Sequence, residues 1–150
     1  MSINPALEGR SYPAGGTYVV SREKIREFAT ATKATHGAHY DLEAAASLGH
    51  ADLVAPPTFA IIVAQRADAQ LIADPESGID FSRVVHADQR FTLHRPIVAG
   101  DELVAELHVD KVRGMGTGAM ITTRAEITTA GGESVATTIS SILVRGEEAA

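Results

Sequence analysis

Six apolar residues in a row, Phe59-Ala60-Ile61-Ile62-Val63-Ala64, stand between a Pro56-Pro57 pair and the first charge at Arg66. Proline is favoured at the first position of a helix, where its missing N–H breaks no hydrogen bond. The run therefore predicts a helix over about 58–73 whose first half is apolar on every side. A helix of that kind is buried rather than laid on a surface. It is far too short to cross a membrane. The rest of the chain must wrap it.

The back half supplies the wrapping. Leu103, Ala105, Leu107 and Val109 alternate with Val104, Glu106, His108 and Asp110; Ile121, Thr123, Ala125 and Ile127 alternate with Thr122, Arg124, Glu126 and Thr128. Period two over such lengths predicts long strands. Val135 to Val144 completes a three-strand meander, with the glycines of 114–118 and Gly131-Gly132 at the connections. Arg90-Phe91-Thr92-Leu93-His94 reads as a further strand after Val84-Val85, with His86 and Asp88 just ahead of it. A turn follows at Val98-Ala99-Gly100-Asp101, where Gly suits the backbone and Asp a local side-chain hydrogen bond. The architecture expected is α+β, a long antiparallel sheet round one central helix. The hot-dog fold has that arrangement. A curved-sheet cone with helices over its mouth has a similar element order. Either offers an apolar tunnel, which suits an acyl chain better than a sugar or nucleotide.

The front half reads as helical. Ser21 is placed to cap a first helix, with Ile25, Phe28 and Ala29 on its apolar face and Glu23 in the first turn. Asp41 caps a short second helix that stops at Gly49. With no internal repeat or linker, residues 1–150 are expected to form one domain, with loose ends at about 1–9 and 146–150. The 19 acids against 13 bases, net charge −6, and the absence of a clustered basic patch exclude nucleic acid as the expected partner. There is no Cys, hence no disulfide and no zinc-thiolate site. Met1-Ser2-Ile3-Asn4-Pro5 shows no basic or apolar leader, so the expected location is cytoplasmic, away from membranes.

Five segments carry a family resemblance. They are Arg22-Glu23-Lys24-Ile25-Arg26-Glu27-Phe28-Ala29, Ala44-Ala45-Ala46-Ser47-Leu48-Gly49-His50, Leu53-Val54-Ala55-Pro56-Pro57-Thr58-Phe59, Val85-His86-Ala87-Asp88-Gln89-Arg90-Phe91, and Arg95-Pro96-Ile97-Val98-Ala99-Gly100-Asp101-Glu102-Leu103. In this order the chain resembles the MaoC-like dehydratase/hydratase superfamily. It looks most like the N-terminal-dehydratase branch, with the HadA- and HadC-type subunits of actinobacterial (3R)-hydroxyacyl-thioester dehydratases. The resemblance implies a hot-dog fold and a double hot-dog dimer. It also implies a 3-hydroxyacyl or trans-2-enoyl thioester of coenzyme A or acyl carrier protein as substrate, and no cofactor.

In active members of that family an Asp is followed two residues on by Asn and three further by His, with a Gly later at the mouth of the central helix. The carboxylate and imidazole handle water and protons, and the Gly N–H polarises the thioester carbonyl. An ungapped match puts His39 at the His position, Ala34 at the Asp position, His36 at the Asn position and Pro57 at the Gly position. Ala34 handles no proton and Pro57 has no N–H. His39 and His36 are therefore the candidate catalytic groups, and Pro57, Thr58, Phe59 and His86 the candidate substrate contacts. Each has a plainer reading: His39 as a loop imidazole bonded between helices, Pro57 as a helix-start proline, Phe59 as core, His86 as a sheet or dimer residue. No metal site is expected; His36, His39 and Asp41 have no further ligand at a suitable spacing.

Three functions remain in view. The first is an acyl-chain-binding subunit of a hydro-lyase in fatty-acid metabolism, heterodimeric with a subunit carrying the missing Asp and Gly. The second is a self-sufficient homodimeric hydro-lyase using His39 and His36. The third is a hot-dog acyl thioesterase, with Gln65 or Asp68 of the central helix orienting water. A stand-alone acyl-binding module is a plainer fourth.

Overall fold

The structure is a computed structural model that describes residues 3–147. Strands β4 (Glu102–Met115), β5 (Gly118–Thr129) and β6 (Ser134–Val144) form the expected meander. β3 (Val84–Leu93) lies antiparallel to β6 at one end of the sheet, and the short β1 (Ser11–Tyr12) and β2 (Tyr18–Val19) both pair with β4 at the other. Helices α1 (Arg22–Ala31) and α2 (Leu42–Ser47) precede α3 (Ala60–Ala73), which is entered through a 3-10 turn at Pro57–Phe59.

Helix starts follow the caps. Ser21 accepts a hydrogen bond from the Lys24 N–H and Asp41 from the Ala44 N–H, both at 3.1 Å. Each satisfies one of the N–H groups that a first turn leaves open. Gly49 stands past α2 at φ +86°, the left-handed conformation that stops a helix and favours glycine.

α3 packs against one face of the sheet, over β4, β5 and β6. Ala60, Val63, Ala64, Ala67 and Leu71 are buried there, beside Leu103, Leu107, Val109, Ile121, Ile127 and Val135. The first half of the helix is not buried on every side, contrary to the expectation from its apolar run, and the second half is open where its polar residues begin. Ile61 and Ile62 are half-buried, while Gln65, Arg66 and Ala69 are exposed. The reason is geometric: one sheet covers one flank of a helix and leaves the other open.

The ladders form continuous cross-strand rows. Leu107, Ala125, Thr138 and Phe91 make one inward row; Val109, Thr123, Ser140 and Gln89 make the next; Val112, Ile121, Ile142 and His86 make a third. Between the second and third rows, β4 carries an extra residue at Asp110 and β3 an extra residue at Ala87. These bulges break period two. That is why β3 is one strand from Val84 to Leu93, with His86 inside it, rather than a strand starting at Arg90.

The expectation of loose residues 1–9 does not hold for residues 4–9. Pro5–Leu7 form a 3-10 turn capped by the Asn4 side chain, and Leu7 is 0% exposed. Gly9 N–H donates to Val109 O at 2.9 Å. Burial of one leucine and pairing to β4 hold a segment whose composition gives no periodic signal. At the other end, Gly146 O accepts from Arg83 Nη1 at 2.7 Å, and residues 148–150 lie outside the described ones.

Candidate functional site

His36 and His39 sit on the loop between α1 and α2. His36 is exposed and caps the 3-10 turn Gly37–His39, its Nδ1 accepting from the Ala38 N–H at 3.1 Å. An accepting Nδ1 carries a lone pair, so the neutral ring bears its proton on Nε2. His36 thus has a structural role at one nitrogen. His39 is half-buried, with Nδ1 2.7 Å from Val54 O. A carbonyl only accepts, so His39 Nδ1 donates and its Nε2 presents the lone pair. The two rings lie edge to face at 6.3 Å between centroids, with no hydrogen bond joining them among the described residues.

The loop is tied from several sides. Tyr40 Oη donates to Ala34 O at 2.9 Å, and Arg26 Nε donates to Tyr40 O at 3.3 Å. Ala34, half-buried, brings no carboxylate. Asp41 is the cap of α2, and no group of three or more His, Cys, Asp or Glu suited to a metal ion occurs among the described residues.

Val54 links His39 to the central helix. It forms a bridge with Val98, flanked by Ala55 N–H donating to Ile97 O at 2.8 Å and Ala99 N–H donating to Leu53 O at 2.9 Å. Two residues after Ala55, the chain enters the turn that starts α3. His39 and Pro57-Thr58 are therefore brought to the same end of the molecule. Pro57 and Thr58 are exposed there. Phe59 is not: at 0% exposure its ring packs on Phe28 and Tyr18, with centroids 5.3 and 6.4 Å away. It is a core residue, and its N–H donates to Pro56 O at 2.9 Å. The Thr58 N–H has no hydrogen-bond partner among the described residues and remains the donor at the mouth of α3.

His86 is not part of this group. It lines a cleft of about 420 Å³ with Gln65, Asp68, Ala69, Ile72, Ala73 and Phe81. Asp68 lies nine residues beyond Phe59, about 13 Å along a helix rising 1.5 Å per residue. Burial pushes the Asp68 carboxyl up to about 6, against the opposing pull of the Thr123 hydroxyl and of His86. Thr123 Oγ1 donates to Asp68 Oδ1 at 3.2 Å. Beside Thr123 in the same row, the buried Ser140 Oγ has no hydrogen-bond partner among the described residues. Asp68 was legible as a polar break on an apolar helix; its meeting with His86 was not, because the Ala87 bulge turns His86 inward.

Residues 6–138 match the model of the FAS1-like dehydratase domain region. A UPF0336 protein of Leifsonia xyli subsp. xyli is 57% identical over 146 residues, covering 97% of this chain and 98% of its own. The C-terminally truncated HadBC (3R-hydroxyacyl-ACP dehydratase) complex of Mycobacterium tuberculosis contains a chain 34% identical, with a TM-score of 0.83 over 91% of this chain and 96% of that one. A MaoC-like dehydratase is 33% identical with a TM-score of 0.85, covering 94% of this chain and 43% of that longer one. The fold is the hot-dog, not the cone.

Proposed function

The chain belongs to the FAS1-like dehydratase-region family, in the MaoC-like hot-dog branch, and on that premise we propose that it is the acyl-binding subunit of a (3R)-hydroxyacyl-thioester dehydratase. It pairs with a second hot-dog subunit that brings the missing carboxylate. The observation that carries this reading is the half-complete site. His39 has its ring oriented by Val54 and an Nε2 lone pair to offer, while Ala34 stands where the family's acid would be. Pro57 replaces the family's Gly, leaving the Thr58 N–H as the donor for a thioester oxygen at the start of α3.

The reaction read here is the reversible loss of water from a 3-hydroxyacyl thioester. A proton leaves C2, hydroxide leaves C3 with a proton, and the enoyl thioester forms with no net redox change. One imidazole accepts the C2 proton or protonates the leaving hydroxyl; a second acid–base group is needed for the other step. At that end His36 caps a turn through its Nδ1, Asp41 caps α2, and the position of the family's acid is Ala34, so His39 is the group read here for one of the two steps. The HadBC relative is a heteromeric complex, which supports a partner. The unpaired outer edge of β3, with Val85 exposed along it and Phe81 just ahead of it, is where a second sheet would continue this one.

The test is hydration of a short and a long trans-2-enoyl thioester by the purified chain, with His39→Ala alongside. The expected result is no turnover by the chain alone, with retained binding of a saturated acyl thioester. Turnover by the chain alone that disappears in His39→Ala refutes the subunit reading and establishes a self-sufficient hydro-lyase.

A further inference from the structure

We propose that the cleft between α3 and β3 is a subsite for an alcohol group, and that the acyl thioester held by this chain carries a hydroxyl about twelve carbons from its thioester. The inference rests on the acyl-binding reading above and adds the substrate class.

The cleft joins an apolar wall to a polar floor. Ala69, Ile72 and Ala73 of α3 and the Phe81 ring supply the wall, around a space of about 420 Å³. Thr123 of β5 bonds Asp68 through Oδ1, and Oδ2 has no hydrogen-bond partner among the described residues. Next to Thr123 in the same inward row is Ser140 of β6, 5% exposed, whose hydroxyl is also without a partner among the described residues. β6 lies between β5 and β3, so Ser140 stands below the gap that His86 flanks from β3. The His86 ring makes no hydrogen bond among the described residues either. Buried polar groups in folded chains are paired, and an exception needs a water or a ligand to account for it.

The open groups decide the class of ligand. A carboxylate only accepts, a serine hydroxyl donates and accepts, and a neutral imidazole does one at each nitrogen. An alcohol can donate to Asp68 and accept from Ser140 or the His86 ring with one oxygen. A ketone cannot donate, an ammonium cannot accept, and a carboxylate is repelled by Asp68. No Lys or Arg lines the cleft; Arg83 and Arg90, on either side of His86 in the chain, pair with Asp80 and Asp88.

One stripe of α3 leads to the cleft from the thioester end. Thr58, Ile62, Gln65, Ala69 and Ile72 recur at spacings of four and three, and none of them is fully buried. A chain with its thioester oxygen on the Thr58 N–H, laid along this stripe, reaches the level of Asp68 after about 15 Å. An extended chain gains about 1.2 Å per bond, which places the hydroxyl about twelve carbons out. An unsubstituted tail covers Asp68 and Ser140 with methylenes and leaves both unpaired, whereas a hydroxyl there pairs them.

The experiment is calorimetric titration of the purified chain with the 12-hydroxydodecanoyl, dodecanoyl and 12-aminododecanoyl thioesters of coenzyme A, repeated on Asp68→Leu and Asp68→Asn. The wild type is expected to bind the hydroxy chain at least about tenfold more tightly than the plain one, as for one hydrogen bond to a charged acceptor. Asp68→Leu is expected to bind the plain chain more tightly than wild type and to lose the preference. Asp68→Asn, of nearly the same shape with a neutral acceptor, is expected to narrow it. Equal binding of the hydroxy and plain chains by the wild type, or a preference unchanged in both variants, overturns the alcohol subsite and leaves acyl binding standing. Tightest binding of the amino chain makes the cleft a cation site and overturns the subsite as well. If the wild type binds none of the three, the acyl-binding reading fails and this inference falls with it.

Discussion

Replacing Asp101 by alanine tests the support beneath His39. The Asp101 carboxylate accepts from Arg95 Nη1 at 2.9 Å and Nη2 at 3.1 Å, and from the Val98 N–H at 2.9 Å. The carboxylate side chain is 13% exposed and the guanidinium side chain 24%. An exposed ion pair contributes about 0.2–1 kcal/mol, whereas breaking a fully buried one costs about 3–5 kcal/mol. This pair lies between those limits. Arg95 also keeps Glu133 at 3.0 Å and the Pro96 carbonyl at 2.8 Å, so it is not left bare. Asp101→Ala should therefore cost about 2–3 kcal/mol. Asp101→Asn, which retains an acceptor for Val98, should cost about half as much. Urea unfolding with an unchanged m-value is the assay. Because Val98 pairs with Val54, and Val54 O holds His39, the alanine variant should also shift the His39 ring resonances in NMR. A cost under about 0.5 kcal/mol, in the range of an exposed pair, refutes the clamp.

The fold makes three further predictions. The Asp68 carboxyl sits at about 6 in the folded chain against 3.8 ordinarily, so its contribution to stability is complete below pH 3.8 and is lost as pH rises through 6. The loss is up to about 3 kcal/mol at 1.36 kcal/mol per unit; Asp68→Asn, compared with wild type by urea unfolding at pH 4 and pH 7, should gain most at pH 7, and an equal difference at both refutes the assignment. Leu7→Ala should cost about 2–5 kcal/mol in the same assay, as for a buried leucine, and a change within experimental error means the N-terminal turn is not docked. Gly118→Ala should unfold the chain or destabilise it strongly, because an added Cβ would collide with the Val144 carbonyl oxygen, while Gly131→Ala, 3.7 Å from Thr129 Oγ1, should be tolerated; equal melting temperatures refute the crowding argument.

What the sequence shows and what it hides divide along a physical line. Ser21, Asp41 and Gly49 act through bonds three or four residues away, and their caps are readable without a structure. The meander is readable because each strand keeps period two. Leu7 was not readable, since its burial depends on β4, about a hundred residues on. His39 was marked by a family pattern, but the hydrogen bond from its Nδ1 to Val54 is a tertiary contact. Phe59 carried two readings, substrate contact and core, and the rings of Phe28 and Tyr18 decide for core. The Asp68–His86 cleft needed both a helix face and a strand phase, and the phase changes where nothing in composition marks it.

That change of phase has a consequence for strand exchange. Leu103 to Val109 point inward at odd numbers on β4, and beyond Asp110 the inward residue is Val112. On β3, Gln89, Phe91 and Leu93 are in step with their inward neighbours at odd numbers, and beyond Ala87 the residue in step is His86. The two offsets occur at the same level of the sheet, one on each side of the β5–β6 pair. A graft that kept the residue count of one of these strands but not its bulge would invert the facing of that strand beyond the bulge, while the other strands kept theirs. Deleting Ala87 alone would leave His86 next to Asp88 and still opposite Ile142, so the imidazole would keep its inward facing; straightening β3 with Ala87 retained would put Ala87 opposite Ile142 and send His86 to the outer surface.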